Sequence, residues 1–74
     1  SGHSGPVNSV AITRDGTWLA TASDDRTVRI WAVAESRTVA MARAEGSLRS
    51  CVWGAAGELA VGGEKGLYLF KLLT

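Results

Sequence analysis

Seventy-four residues are about half of one average domain, enough for a single small core and too few for most enzyme folds. Eight basic against seven acidic side chains leave a net charge of +1, so no polyanion-binding surface is implied, and the 46% hydrophobic content is globular rather than disordered. One cysteine, Cys51, and one histidine, His3, exclude an internal disulfide and a Cys/His zinc site.

Hydrophobicity runs in short alternating bursts split by turn residues, the period of half-buried strands and not of helices, so the fold class expected is all-β. The first strand runs from Val7 to Thr13, with Val7, Ser9 and Ala11 on one face and Asn8, Val10 and Ile12 on the other. Arg14-Asp15-Gly16-Thr17 supplies a tight turn. Trp18 to Ser23 is the second strand, Asp24-Asp25-Arg26 a polar turn, and Thr27 to Val33 the third strand. Such short connections make an antiparallel meander. After Ala34-Glu35-Ser36 comes a segment from Arg37 to Arg43; its alanines would also suit a helix, but Thr38-Val39 and its short length favour a fourth strand.

The pattern then restarts. Val7-Asn8-Ser9-Val10-Ala11-Ile12 aligns with Leu48-Arg49-Ser50-Cys51-Val52-Trp53, and the same register brings Gly16 onto Gly57. With single deletions, Leu19-Ala20 falls on Leu59-Ala60 and Val28-Arg29-Ile30-Trp31 on Leu67-Tyr68-Leu69-Phe70. A period of about 40 residues is that of four-stranded propeller blades. The second unit has three expected strands, Leu48 to Trp53, Glu58 to Gly62 and Leu67 to Leu72, the last with an unpaired apolar edge.

Residues 2–33 closely resemble one repeat of the WD-repeat β-propeller family. The resemblance rests on Gly2-His3, the Asp15-Gly16 turn, Leu19-Ala20, the Ser23-Asp24-Asp25-Arg26-Thr27 turn and Val28-Arg29-Ile30-Trp31. Ala32 stands where the family usually has an Asp. Residues 46–72 look like a degenerate second repeat: Gly57, Leu59-Ala60, Gly62-Gly63 and the Leu67 to Phe70 strand remain, while the Gly-His is gone, Glu64-Lys65-Gly66 replaces the acidic turn and Phe70 replaces the Trp. The resemblance implies a β-propeller fragment of about two blades, built from antiparallel four-stranded meanders, with the first blade over residues 1–44 and an incomplete second over 45–74.

A hydroxyl at Thr21 or Ser23, the His3 imidazole and the Asp25 carboxylate are groups that nucleophilic acyl transfer uses. Nothing in the motif supplies an oxyanion hole, however, and a hydroxyl held by a tryptophan is a poor nucleophile. The resemblance implies instead a structural tetrad drawn from His3, Thr21, Ser23, Asp25 and Trp31, stapling the loop before the first strand to the blade, with no catalytic residue. It further implies a non-catalytic scaffold that binds a protein or peptide. The contact residues would be Pro6, Asn8 and Asp24, with Ser47, Arg49 and Glu64 as their counterparts in the second unit.

Since a blade buries both faces against neighbours, the ring would be completed by homo-oligomerisation or within a longer chain. Two other settings remain open: a sensor propeller of a bacterial signalling protein, and a carbohydrate- or nucleic-acid-binding module reported by Trp18 or Trp53. The arginines at 14, 26, 29, 37, 43 and 49 are dispersed among acids, which disfavours nucleic acid. Gly62 to Gly66 reads as a hairpin turn and not a phosphate loop, and Cys51 as core. No cofactor or metal is expected. No run reaches the roughly 18 apolar residues of a membrane span, and Ser1-Gly2-His3-Ser4-Gly5 lacks the basic start and apolar middle of a signal peptide. The cytoplasm is the expected location.

Overall fold

The computed structural model describes residues 3–72, so Gly2 of the Gly-His pair lies outside the described residues. Seven strands form two antiparallel sheets: β1 (Val7–Ile12), β2 (Trp18–Ser23), β3 (Thr27–Ala32) and β4 (Arg37–Arg43) in the order 1-2-3-4, then β5 (Leu48–Trp53), β6 (Glu58–Gly63) and β7 (Gly66–Lys71) in the order 5-6-7. The fold is all-β, a β-propeller fragment of about two blades. Arg37–Arg43 is a strand, as its β-branched pair suggested.

Strand ends differ from expectation. Thr13 lies outside β1, and its amide and hydroxyl close the next turn against Trp18 and Asp15. Val33 opens a 3₁₀ turn, Val33–Glu35, that ends at Ser36 in the left-handed region, and Leu72 likewise falls outside β7. Gly63 and Gly66 join β6 and β7 as a ladder pair, leaving Glu64-Lys65 as the turn. Gly16 is required at its own turn by a φ of +77°, where other L-residues are strained.

The two sheets repeat each other residue by residue. Val10 faces Thr21 as Cys51 faces Val61, Ile12 faces Leu19 as Trp53 faces Leu59, and Thr21 faces Arg29 as Val61 faces Tyr68. Even the irregularities coincide, with a bulge between Val7 and Ser9 and another between Leu48 and Ser50. Alternation then decides which side meets the other blade. Ala20, Ala22, Val28 and Ile30 of the first sheet pack on Leu59 and Val61 of the second, with Trp18, Cys51, Trp53 and Tyr68 around them. Small residues on one side and large ones on the other let two sheets approach closely.

Candidate functional site

His3 sits in the loop before β1, Thr21 on β2, Trp31 on β3, and Asp25 in the turn between those strands. That turn is built locally. The Thr27 amide donates to Asp25 Oδ1 at 2.9 Å, and Arg26 closes the turn with a φ of 72°. Gly5 allows the preceding loop to lie close, since a Cβ there would stand 3.3 Å from the Asp25 amide nitrogen. The loop is tied down by two bonds: the Ser23 hydroxyl donates to the Pro6 carbonyl at 2.9 Å, and the Asp24 amide donates to the same oxygen at 3.0 Å.

Across this frame runs one chain of hydrogen bonds. Trp31 Nε1 donates to Thr21 Oγ1 at 3.1 Å, Thr21 Oγ1 lies 2.6 Å from His3 Nε2, and His3 Nδ1 lies 2.9 Å from Asp25 Oδ2. Because the carboxylate only accepts, the imidazole carries its proton on Nδ1, and Nε2 accepts from the Thr21 hydroxyl. The His3 and Asp25 side chains are 4% and 6% exposed. Burial pushes the Asp25 carboxyl up, but the Thr27 hydroxyl, the His3 ring and the amides of Ser4 and Thr27 together outweigh it and hold the group below the ordinary carboxylate range.

Thr21, rather than Ser23, is the hydroxyl that meets the imidazole and the indole. Ser23 is fully buried one turn away, accepting from the Asp25 amide at 3.1 Å while it holds the Pro6 carbonyl. Thr27 was not singled out from sequence, yet its hydroxyl donates to Asp25 Oδ1 and lies 3.1 Å from His3 Nδ1. A Thr two residues after an Asp in a polar turn is a legible signal for such a bond.

A second cluster gathers on the same edge of both sheets. Asn8 Nδ2 donates to Asp24 Oδ1 and to the Leu48 carbonyl, both at 2.7 Å. The Glu64 amide donates to the Ser47 carbonyl at 3.0 Å, repeating the Asp24–Pro6 bond of the first unit, and an Arg49 guanidinium nitrogen lies 3.7 Å from Glu64 Oε2. Pro6, Asn8, Asp24, Ser47, Arg49 and Glu64 therefore line one rim, all exposed except the half-buried Ser47.

Further bonds cross between the sheets: Trp53 Nε1 donates to the Ala11 carbonyl at 3.0 Å, the Cys51 amide donates to Ser9 Oγ at 3.2 Å, and the Cys51 thiol donates to the Ala20 carbonyl at 3.7 Å. Trp18 and Trp53 both pack against the core. A small apolar cavity of about 170 Å³ lies between the sheets, among Val28, Ile30, Trp53, Leu59 and Phe70. The Cys51 thiol is pushed up by burial, a shift that the Ser9 hydroxyl partly offsets. Among the described residues no three His, Cys, Asp or Glu side chains group to hold a metal, and no helix is long and apolar enough to cross a membrane.

Residues 1–32 match the family described as "WD domain, G-beta repeat". Those residues are a WD repeat. A rat relative, "Ribosome biogenesis protein BOP1", is 42% identical over 52 residues, which are 70% of this chain and 7% of that protein. "Ribosome biogenesis protein ERB1" of Saccharomyces cerevisiae is 49% identical over 39 residues, 53% of this chain and 5% of that one. The chain thus spans a small fraction of the curated relatives it matches. The solved β-propeller domain of Cps50 (Swd1) from Myceliophteria thermophila superposes on 99% of it with a TM-score of 0.87 at 17% identity, using 24% of that chain, and shows the fold.

The relatives also correct the expected location. They are named for ribosome biogenesis, work of the nucleolus and nucleus and not of the cytoplasm. The cytoplasmic expectation had rested on the lack of a leader or membrane span, and neither feature separates one aqueous compartment from another.

Proposed function

We propose that this chain is a non-catalytic WD-repeat scaffold that presents the rim of Pro6, Asn8, Asp24, Ser47, Arg49 and Glu64 to a protein or peptide partner, with blades over residues 1–44 and 45–74. The observation that carries the reading is the state of the hydroxyl that meets His3 Nε2. Thr21 Oγ1 is buried, takes the indole N–H on one lone pair and spends its proton on His3, so it is held in place with no open approach for an electrophile. His3, Thr21, Asp25 and Trp31, with Ser23 and Thr27 beside them, hold the loop that carries the rim. Asp24 lies outside that network and keeps one carboxylate oxygen free of the Asn8 bond, which suits a basic side chain of a partner. The names of the relatives support ribosome biogenesis as the setting. Apolar faces on the outer sides of both sheets support completion by further blades.

Fluorescence anisotropy with a panel of lysine- and arginine-rich peptides tests the rim. Asp24→Ala should weaken binding about tenfold with an unchanged melting temperature. Binding indifferent to Asp24, or an esterase activity that disappears in Thr21→Val, would remove the proposal.

A further inference from the structure

We infer that the groove between the two blades at the edge opposite the rim is a second binding site, and that it takes a proline-rich segment of a partner protein in the extended left-handed helix. The inference goes beyond the rim reading and does not depend on it. β1 and β5 each run from the rim to the groove, so the two sites lie at opposite ends of the same strands.

The turn between β1 and β2 and the turn between β5 and β6 wall a groove of about 940 Å³, within the roughly 300–1,000 Å³ usual for ligand sites. Ala11, Trp18, Trp53 and Ala55 line it, which brings together two indoles from different blades. Both rings are half-buried and pack on the core, so the aromatic surface is in place before a ligand arrives. Their nitrogens differ. Trp53 Nε1 is spent on the Ala11 carbonyl and Trp31 Nε1 on Thr21, whereas Trp18 Nε1 meets no acceptor among the described residues and is not buried. Arg14, exposed on the first turn and also lining the groove, has no carboxylate within ion-pair distance among the described residues. The acids of the two turns are folded onto their own backbones: Asp15 Oδ1 accepts from the Thr13 hydroxyl at 2.8 Å and the Thr17 amide at 3.0 Å, and Glu58 Oε1 from the Ala56 amide at 3.0 Å.

The side-chain nitrogens left to meet a ligand are therefore pure donors, one indole N–H and one guanidinium, beside an aromatic surface. The ligand that matches is apolar, rich in acceptors and poor in donors. A proline-rich segment has all three properties. Its rings lie against the indoles, its carbonyls are free to accept because the helix has no internal hydrogen bonds, and its prolines have no N–H to strand in the groove. The helix is also formed before binding, which keeps the entropy loss small. A sugar would bring a donor with every hydroxyl and strand several of them against Ala11, Ala55 and the indole faces.

Fluorescence anisotropy of a labelled peptide of about ten prolines, titrated with the full chain, tests this. Saturable binding with a blue shift of the tryptophan emission is expected. Trp18→Phe keeps an aromatic ring and removes the one unspent indole N–H, so it should weaken binding about tenfold at an unchanged melting temperature. Arg14→Ala should weaken it roughly three- to tenfold, and Asp24→Ala should leave it as it is. No saturable binding of the oligoproline, or binding that is the same in Trp18→Phe, would overturn the inference. So would an emission shift with cello-oligosaccharides and none with the oligoproline. Should Trp18→Phe unfold, Arg14→Ala, at an exposed turn position, decides, and no weakening there would count against the site. A chain that binds basic peptides through Asp24 and ignores the oligoproline refutes the groove alone, whereas one that binds only the oligoproline refutes the rim alone.

Discussion

Replacing Thr21 by valine keeps the shape and β propensity of the side chain and removes one oxygen. That oxygen is the junction of the polar chain: it lies 3.1 Å from the Trp31 nitrogen and 2.6 Å from His3 Nε2. Thr21→Val leaves an indole N–H without an acceptor and an imidazole nitrogen without a donor, both largely shielded from water. At about 1–3 kcal/mol for each of the two orphaned groups, the loss is about 2–6 kcal/mol. Set against the roughly 4–11 kcal/mol expected for a protein of this length, that loss removes a large part of the stability. Urea unfolding followed by tryptophan fluorescence, at one fixed protein concentration, should show a lower midpoint with an unchanged slope. Trp31→Phe removes the same bond from its other end. In the Thr21→Val background it should therefore cost at least about 1 kcal/mol less than in the parent. A Thr21→Val change within about 0.5 kcal/mol of the parent, the spread of neutral surface substitutions, would refute the reasoning.

Acid should unmask Asp25. Its carboxyl is held below the ordinary range, so its contribution is complete above about pH 4 and drains away as the pH falls from there toward the depressed folded value. Melting temperature should fall steeply below about pH 4, and Asp25→Asn should be less stable at pH 7 with a shallower acid slope; parallel slopes would contradict the assignment. Trp53→Phe keeps the ring and deletes the donor to the Ala11 carbonyl, which should cost about 1 kcal/mol in the same unfolding assay. Cys51, half-buried with a raised pKa, should react with an aromatic disulfide far more slowly at pH 8 than a free thiol does, and at full rate in urea; fast labelling of the folded chain would show that the blades do not close over it.

Local physics made much of this molecule legible. Alternation in Val7–Ile12, Trp18–Ser23 and Thr27–Ala32 reported the strands directly, because each has one apolar side to bury. Thr13, Val33 and Gly66 were misjudged at strand ends, where hydrogen bonds of the adjoining turn decide and not hydrophobicity. The choice between Thr21 and Ser23 could not be made from spacing, since both point to one face; the chain direction of the 3–6 loop decides it by bringing His3 to one and Pro6 to the other. Asn8 bridging Asp24 to Leu48, and Trp53 reaching Ala11, join residues 40 or more apart across two sheets, and no local pattern encodes such a meeting. The repeat hinted at it only by placing β5 in the same register as β1.

Everything proposed for this chain depends on its two sheets packing face to face as propeller blades. A nuclear Overhauser spectrum of the full chain measures that packing directly. The account predicts cross-peaks from the Cys51 amide proton to the Ser9 side chain and from the Trp53 indole proton to Ala11. A spectrum with the cross-strand peaks of each sheet intact and both of these missing would contradict it.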